Sequence, residues 1–128
     1  MARDLARLNL ITGKVIHGAL KVHTALGPGL LESAYHLCLV YELGLQGLDV
    51  KSQVDVPIDY NGVPIETGFK MDLLVQDLIV VELKTVAKVL PVHEAQLLSY
   101  LRLSRRPMGL LINFHVRRLR DGITRMVN

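Results

Sequence analysis

Cysteine is nearly missing from this chain: Cys38 is the only one in 128 residues. A disulfide framework and a thiolate zinc site are therefore both unavailable within one copy. No apolar run approaches membrane-spanning length, so a transmembrane helix is not expected. Charges at Arg3, Asp4 and Arg7 precede the first apolar run, so a signal peptide is not expected. Low-complexity tracts and internal repeats are absent too. Half of the residues are apolar and 21% are charged, a balance that supports one compact domain over residues 1–128 with a core of its own. A cytoplasmic protein is the expectation.

Acid is scarce toward the end of the chain. From Arg102 onward there are seven arginines (Arg102, Arg105, Arg106, Arg117, Arg118, Arg120, Arg125) against Asp121 alone, although the net charge is only +3. Arginine favours forked contact with phosphates. A cluster of this kind reads equally well as a solvated surface, and it gains meaning only beside a site that acts on an anionic substrate.

Apolar spacing predicts an amphipathic helix from about Asp4 to Leu26, with Leu5, Leu8, Thr12, Val15, Ile16, Ala19, Leu20, His23 and Leu26 inward. Gly27-Pro28-Gly29 ends it. A second helix is predicted from about Leu31 to Leu45, with Ala34, Tyr35, Leu37, Cys38, Tyr41 and Leu45 inward. Alternation then takes over: Val50, Ser52, Val54 and Val56 read as one face of a strand that continues past Pro57 to Tyr60, at a sheet edge because of the proline. Asn61-Gly62 is a hairpin turn, and a return strand starts at Val63. Two further strands follow, around Asp72 and Glu82. Pro91 opens a helix running to about Leu103, and Met108 to Phe114 reads as a central strand reached by a crossover. Asp121-Gly122 suggests a turn in a basic tail of no clear periodicity. The order α-α-β-β-β-β-α-β predicts a mixed α/β domain whose central sheet, partly antiparallel, is flanked by helices.

Between Phe69 and Lys84 the charged side chains of Asp72, Glu82 and Lys84 sit in apolar, β-branched runs that suit strands buried on both faces. Ionised groups in such places are paired or bind a metal. Glu82 and Lys84 share one face of their strand. A three-residue turn at Gln76-Asp77-Leu78 sets Asp72 opposite Glu82. Two facing carboxylates repel, and a divalent cation between them with a lysine beside it is the simplest arrangement that makes the trio tolerable.

Three features bear on this hairpin. Glu32 opens the second helix, where a glutamate complements the helix dipole without any further role. His93, Gln96 and Tyr100 line one face of the third helix, which reads as a solvent-facing stripe except that Tyr100 is large enough to cover something. Lys84 taken alone is an ordinary ion-pair partner.

Together, an Asp on one strand, Glu-Leu-Lys on the next, a Glu on an earlier helix and Gln96-x-x-x-Tyr100 on a following one resemble the PD-(D/E)XK nuclease superfamily. Gly29-Leu-Leu-Glu32-Ser-Ala-Tyr35 is similar to the signature of the small GxxExxY family within it, as are Pro91 to Tyr100 and Gly109 to Phe114. Nearly the whole chain is covered. Met71 stands where the superfamily name has proline, a position often replaced.

The resemblance implies a restriction-endonuclease-like core and phosphodiester hydrolysis leaving a 5′-phosphate. It implies Mg²⁺ or Mn²⁺ held by Asp72, Glu82 and the backbone carbonyl of Leu83, with Glu32 completing the anionic cluster. Lys84 would act on the water and the transition state, Gln96 near the nucleophile, and Tyr100 on Gln96 or Lys84. His93 would stand behind them or touch substrate. In this reading Arg102, Arg105, Arg106, Arg117 and Arg118 bind nucleic acid through its backbone. The chain has no separate recognition module, so structure- or end-directed cleavage of DNA or RNA is expected over sequence-specific cleavage. A homodimer would supply the two sites that cutting duplex needs. Two other readings compete: a non-catalytic nucleic-acid-binding or assembly module that keeps the fold, and a phosphohydrolase of small phosphate esters.

Overall fold

The computed structural model describes residues 2–128, with side chains from residue 4 onward. Met1 and the side chain of Arg3 therefore lie outside the described residues. The chain runs α1 (Ala2–Leu26), α2 (Glu32–Leu45), β1 (Val50–Asp55), β2 (Ile58–Tyr60), β3 (Val63–Ile65), β4 (Lys70–Val75), β5 (Ile79–Lys84), α3 (Pro91–Ser104), β6 (Met108–Asn113), a short 3-10 turn (Leu119–Gly122) and β7 (Ile123–Val127).

Five strands form the main sheet in the order β1-β4-β5-β6-β7, and β2 and β3 pair separately. β5 is its central strand. β4 and β5 are antiparallel through the turn at Gln76 to Leu78, with Leu73 opposite Val81 and Val75 opposite Ile79. β6 returns parallel to β5, Lys84 beside Asn113, which is the arrangement a helical crossover permits.

Alternation sorts the core into two layers. Leu73, Val75, Ile79, Val81, Leu83, Leu110 and Ile112 face α1 and α2, while Leu74, Val80 and Leu111 face Leu97, Tyr100 and Leu101 of α3. Gly109 lets α3 approach: a Cβ there would lie 2.9 Å from Leu97 Cδ1 and 3.2 Å from the Val80 carbonyl oxygen.

Several sequence expectations are corrected. The strand expected to run unbroken from Val50 to Tyr60 splits at Val56-Pro57, because proline cannot donate to a ladder. The tail forms β7, whose backbone pairs antiparallel with β6, so β6 is an inner strand but not the central one. On α1, Leu5 and Leu20 are exposed, whereas Ile11 and Val22 are buried. On α2 the inward stripe is Tyr35, Leu39 and Leu43, and Leu37, Cys38, Tyr41 and Leu45 face outward. Both stripes have helical spacing, and packing against α1 and the sheet selects between them.

β1 departs most from its expected pattern. Val50 packs in the α1–α2 layer and Val54 and Val56 in the α3 layer. Gln53 lies between them with φ +55°, a left-handed conformation that breaks strict alternation. β4 breaks at the matching point: Met71 belongs to the α3 layer and Leu73 to the other. Asp72 stands at that break.

Candidate active site

Extending the β4–β5 register by one residue sets Asp72 opposite Glu82, but the regular pairing stops at Leu73 and Val81. Side chains take over beyond it. The Asp72 N–H donates to Glu82 Oε2 at 2.7 Å, and the Leu83 N–H donates to Asp72 Oδ2 at 2.8 Å. Strand amides point in the plane of the sheet, so both carboxylates fold into the gap between the strands, each bound to the other strand's backbone. At Glu82 this charge-assisted bond favours the ionised form.

Burial works against it. Glu82 is only 5% exposed. Desolvation first and the Asp72 charge second push its carboxyl up to about 8, with the Asp72 amide and Lys84 opposing. Lys84, two residues on, emerges half-buried on the same face as Glu82.

Glu32 reaches this cluster from α2. Burial, then the charge of Asp72, raise its carboxyl above the ordinary value; Lys84 lowers it, and a side-chain hydrogen bond with Asp72 raises it further. The preceding loop explains how Glu32 is presented. Gly27 and Gly29 have φ +70° and +99°, conformations that favour glycine. The buried Tyr35 hydroxyl donates to the Gly27 carbonyl at 2.6 Å and accepts the Leu30 N–H at 3.1 Å. Its ring stacks on Phe114, centroids 4.4 Å apart. The tyrosine one turn after Glu32 thus ties down the loop one turn before it.

From α3, Gln96 Nε2 donates to the Tyr100 hydroxyl at 3.0 Å. Tyr100 is buried. Desolvation and then the charge of Glu82 raise its phenol above the usual value; the Gln96 hydrogen bond opposes them, and Asp72 adds a weaker push. The His93 side chain is turned to the helix start: Nδ1 accepts the Leu90 N–H at 2.9 Å, while the His93 backbone N–H donates to the Leu90 carbonyl. It caps α3.

Asn113 is a positioning residue that sequence reasoning missed. It is 2% exposed, accepts the Val86 and His115 N–H groups and donates to the Val86 carbonyl. It clamps the segment that leaves Lys84. Its signal was available, since a lone amide ends an otherwise apolar strand.

The arginines are scattered. Arg106 pairs with Asp77 at 2.8 Å in the β4–β5 turn and donates to the Ser104 carbonyl, at the end of the hairpin away from the carboxylates. Arg102 and Arg105 are exposed at the close of α3. Arg117 and Arg118 are exposed where the chain leaves β6, the end of the sheet at which Lys84 ends β5.

No three His, Cys, Asp or Glu side chains among the described residues are gathered as a ready metal cage. The donor chemistry nevertheless fits a hard divalent cation. Asp72 and Glu82 each retain one oxygen not engaged by the opposite strand, Glu32 adds a third carboxyl, and a cation would offset what raises Glu82, burial first and the Asp72 repulsion second.

A family model described as the PD-(D/E)XK nuclease superfamily matches residues 9–126. Neither the curated proteins nor the solved structures include a significant match. The five-stranded mixed sheet between helical layers agrees with a restriction-endonuclease-like fold. No helix among the described residues is long and apolar enough to cross a membrane.

Proposed function

The chain belongs to the PD-(D/E)XK nuclease superfamily, and from that premise we propose that it hydrolyses phosphodiester bonds in DNA or RNA without reading sequence. The observation that carries this reading is the reciprocal carboxylate–amide pairing of Asp72 and Glu82, with Lys84 beside it. A structural ladder satisfies such amides with backbone carbonyls, at no cost in buried charge, whereas this hairpin uses two facing carboxylates that repel and are buried. The Gly29, Glu32 and Tyr35 spacing supports placement in the GxxExxY family, with residues 1–128 acting as a single nuclease-like domain.

Asp72 and Glu82, with Glu32 and the Leu83 carbonyl, would hold Mg²⁺ or Mn²⁺, which supplies an activated water and polarises the scissile phosphate. Lys84 orients the attacking water and offsets charge on the phosphate oxygens as the transition state forms. Tyr100 fixes the Gln96 carboxamide, which hydrogen-bonds near the nucleophile. Arg117 and Arg118, at the same end of the sheet, hold flanking backbone phosphates whatever the base.

The test is incubation with single-stranded, duplex and branched DNA and with RNA, in Mn²⁺ or in EDTA. Wild type should cut at least one of these only with the metal. Lys84→Ala should lose about 10²–10³-fold or more of that activity while still binding Mn²⁺, because carboxylates hold the ion. Equal cleavage by both proteins would sink the proposal.

A further inference from the structure

Beside Glu32 a cleft of about 360 Å³ opens, lined by Glu32, Ser33, His36, Leu37 and Gln53. The volume falls within the range of about 300–1,000 Å³ common for small-molecule sites. One wall is apolar, since Leu37 is 70% exposed on the outer side of α2. The His36 ring is oriented by Ser52, whose Oγ lies 3.1 Å from Nε2.

The unusual member is Gln53. A regular strand sends neighbouring side chains to opposite faces. Here Ser52 meets His36 of α2 and Gln53 lines a cleft against that same helix. The left-handed turn at Gln53, φ +55°, makes this possible. Glycine adopts that conformation freely, whereas glutamine holds it at a cost in backbone energy. A carboxamide kept at such a place offers a donor and an acceptor side by side, as an adenine edge requires. An imidazole and an apolar side chain supply the flat contacts that unpaired bases use.

Building on the nuclease reading above, we infer that this cleft receives the unpaired base of a nucleotide adjoining the scissile phosphate, with Gln53 as its specificity-determining contact. Glu32 belongs to both places, so a base seated against Gln53 and His36 brings its own backbone phosphate toward Asp72 and Glu82. Adenine fits the Gln53 edge best. The enzyme then has no sequence motif to read, yet retains a preference at one flanking position.

The test uses the full chain and four 5′-mononucleotides (AMP, CMP, GMP and UMP), followed by NMR in EDTA, so it does not depend on cleavage. AMP should shift the Ser33, His36 and Gln53 signals saturably and more tightly than the pyrimidine nucleotides. Gln53→Gly should bind AMP about ten-fold or more weakly and lose the difference between bases, with a thermal midpoint no lower than wild type. The inference is overturned by shifts elsewhere or none at all, by AMP binding that Gln53→Gly leaves intact, or by a weaker variant that is also less stable. Mononucleotide binding in the cleft of a protein that cuts no polymer would keep the subsite and remove the nuclease; cleavage with no binding there would do the reverse.

Discussion

The two ends of the β4–β5 hairpin are built on opposite terms. At the turn end the ladder is regular, Leu73, Leu74 and Val75 lie against Val81, Val80 and Ile79, and all six are at most 2% exposed. The charges there, Asp77 and Arg106, are paired at the surface. At the open end the ladder gives way to carboxylates bound to the opposite backbone, and burial drives the Glu82 carboxyl up to about 8. One end is satisfied by packing, while the other holds carboxylates whose burial and repulsion Lys84 and the Asp72 amide offset only in part. Stability and chemistry therefore occupy adjoining stretches of the same two strands and should separate under mutation.

The largest stability effect belongs to the packed end. Leu73→Ala removes a wholly buried side chain and should cost about 2–5 kcal/mol in denaturant unfolding. Cleavage per folded molecule should stay within a few-fold of wild type. If activity falls far more than the folded fraction, the two ends are not separable.

Glu82→Gln should act in the other direction when no metal is bound. The group titrates near 4.5 in the unfolded chain and near 8 in the folded one, so between these values the folded protein holds the extra proton. Stability then falls as pH rises from about 5 to about 8. Glu32, raised by burial and by Asp72, adds a slope of the same sign. In EDTA the thermal midpoint of wild type should decline across that window, and Glu82→Gln should flatten most of the decline. Mg²⁺ or Mn²⁺ at pH 8 should restore wild type by mass action and move the variant little. Parallel pH curves for the two proteins would mean that Glu82 is ionised in the metal-free fold.

What could be read in advance follows from how local each signal is. The Gln76–Leu78 turn is bounded by apolar runs whose length and β-branching leave little choice, and with the turn came the register that opposes Asp72 to Glu82. The outward stripe of α2 was not legible, because Leu37, Tyr41 and Leu45 have the same spacing as Tyr35, Leu39 and Leu43, and only tertiary packing distinguishes them. β7 has weak alternation of its own and exists because β6 offers it a backbone edge. Gln53 carries no local signal for a left-handed residue, so the break in β1 and the cleft beside Glu32 went unseen. Charge counting grouped Arg106 with its neighbours because its partner, Asp77, lies 29 residues away.

That last point separates the arginines by the end of the hairpin they serve. The Arg106 guanidinium already bonds Asp77 and the Ser104 carbonyl, and its Nε is buried with no acceptor among the described residues. A pair whose aspartate is 65% exposed contributes at most about 1 kcal/mol, so Arg106→Gln should lower stability by that or less. It should also leave nucleic-acid binding unchanged, since a group committed to Asp77 releases no counterions from phosphate. Arg117 and Arg118 are exposed at the sheet end where Lys84 lies. Replacing both by Gln should weaken binding alike across sequences and reduce the logarithmic salt slope by about two, one for each phosphate left without its arginine. Measured side by side in a salt titration, a reduced slope in Arg106→Gln and an unchanged one in the double variant would place the substrate at the turn end, away from Asp72 and Glu82.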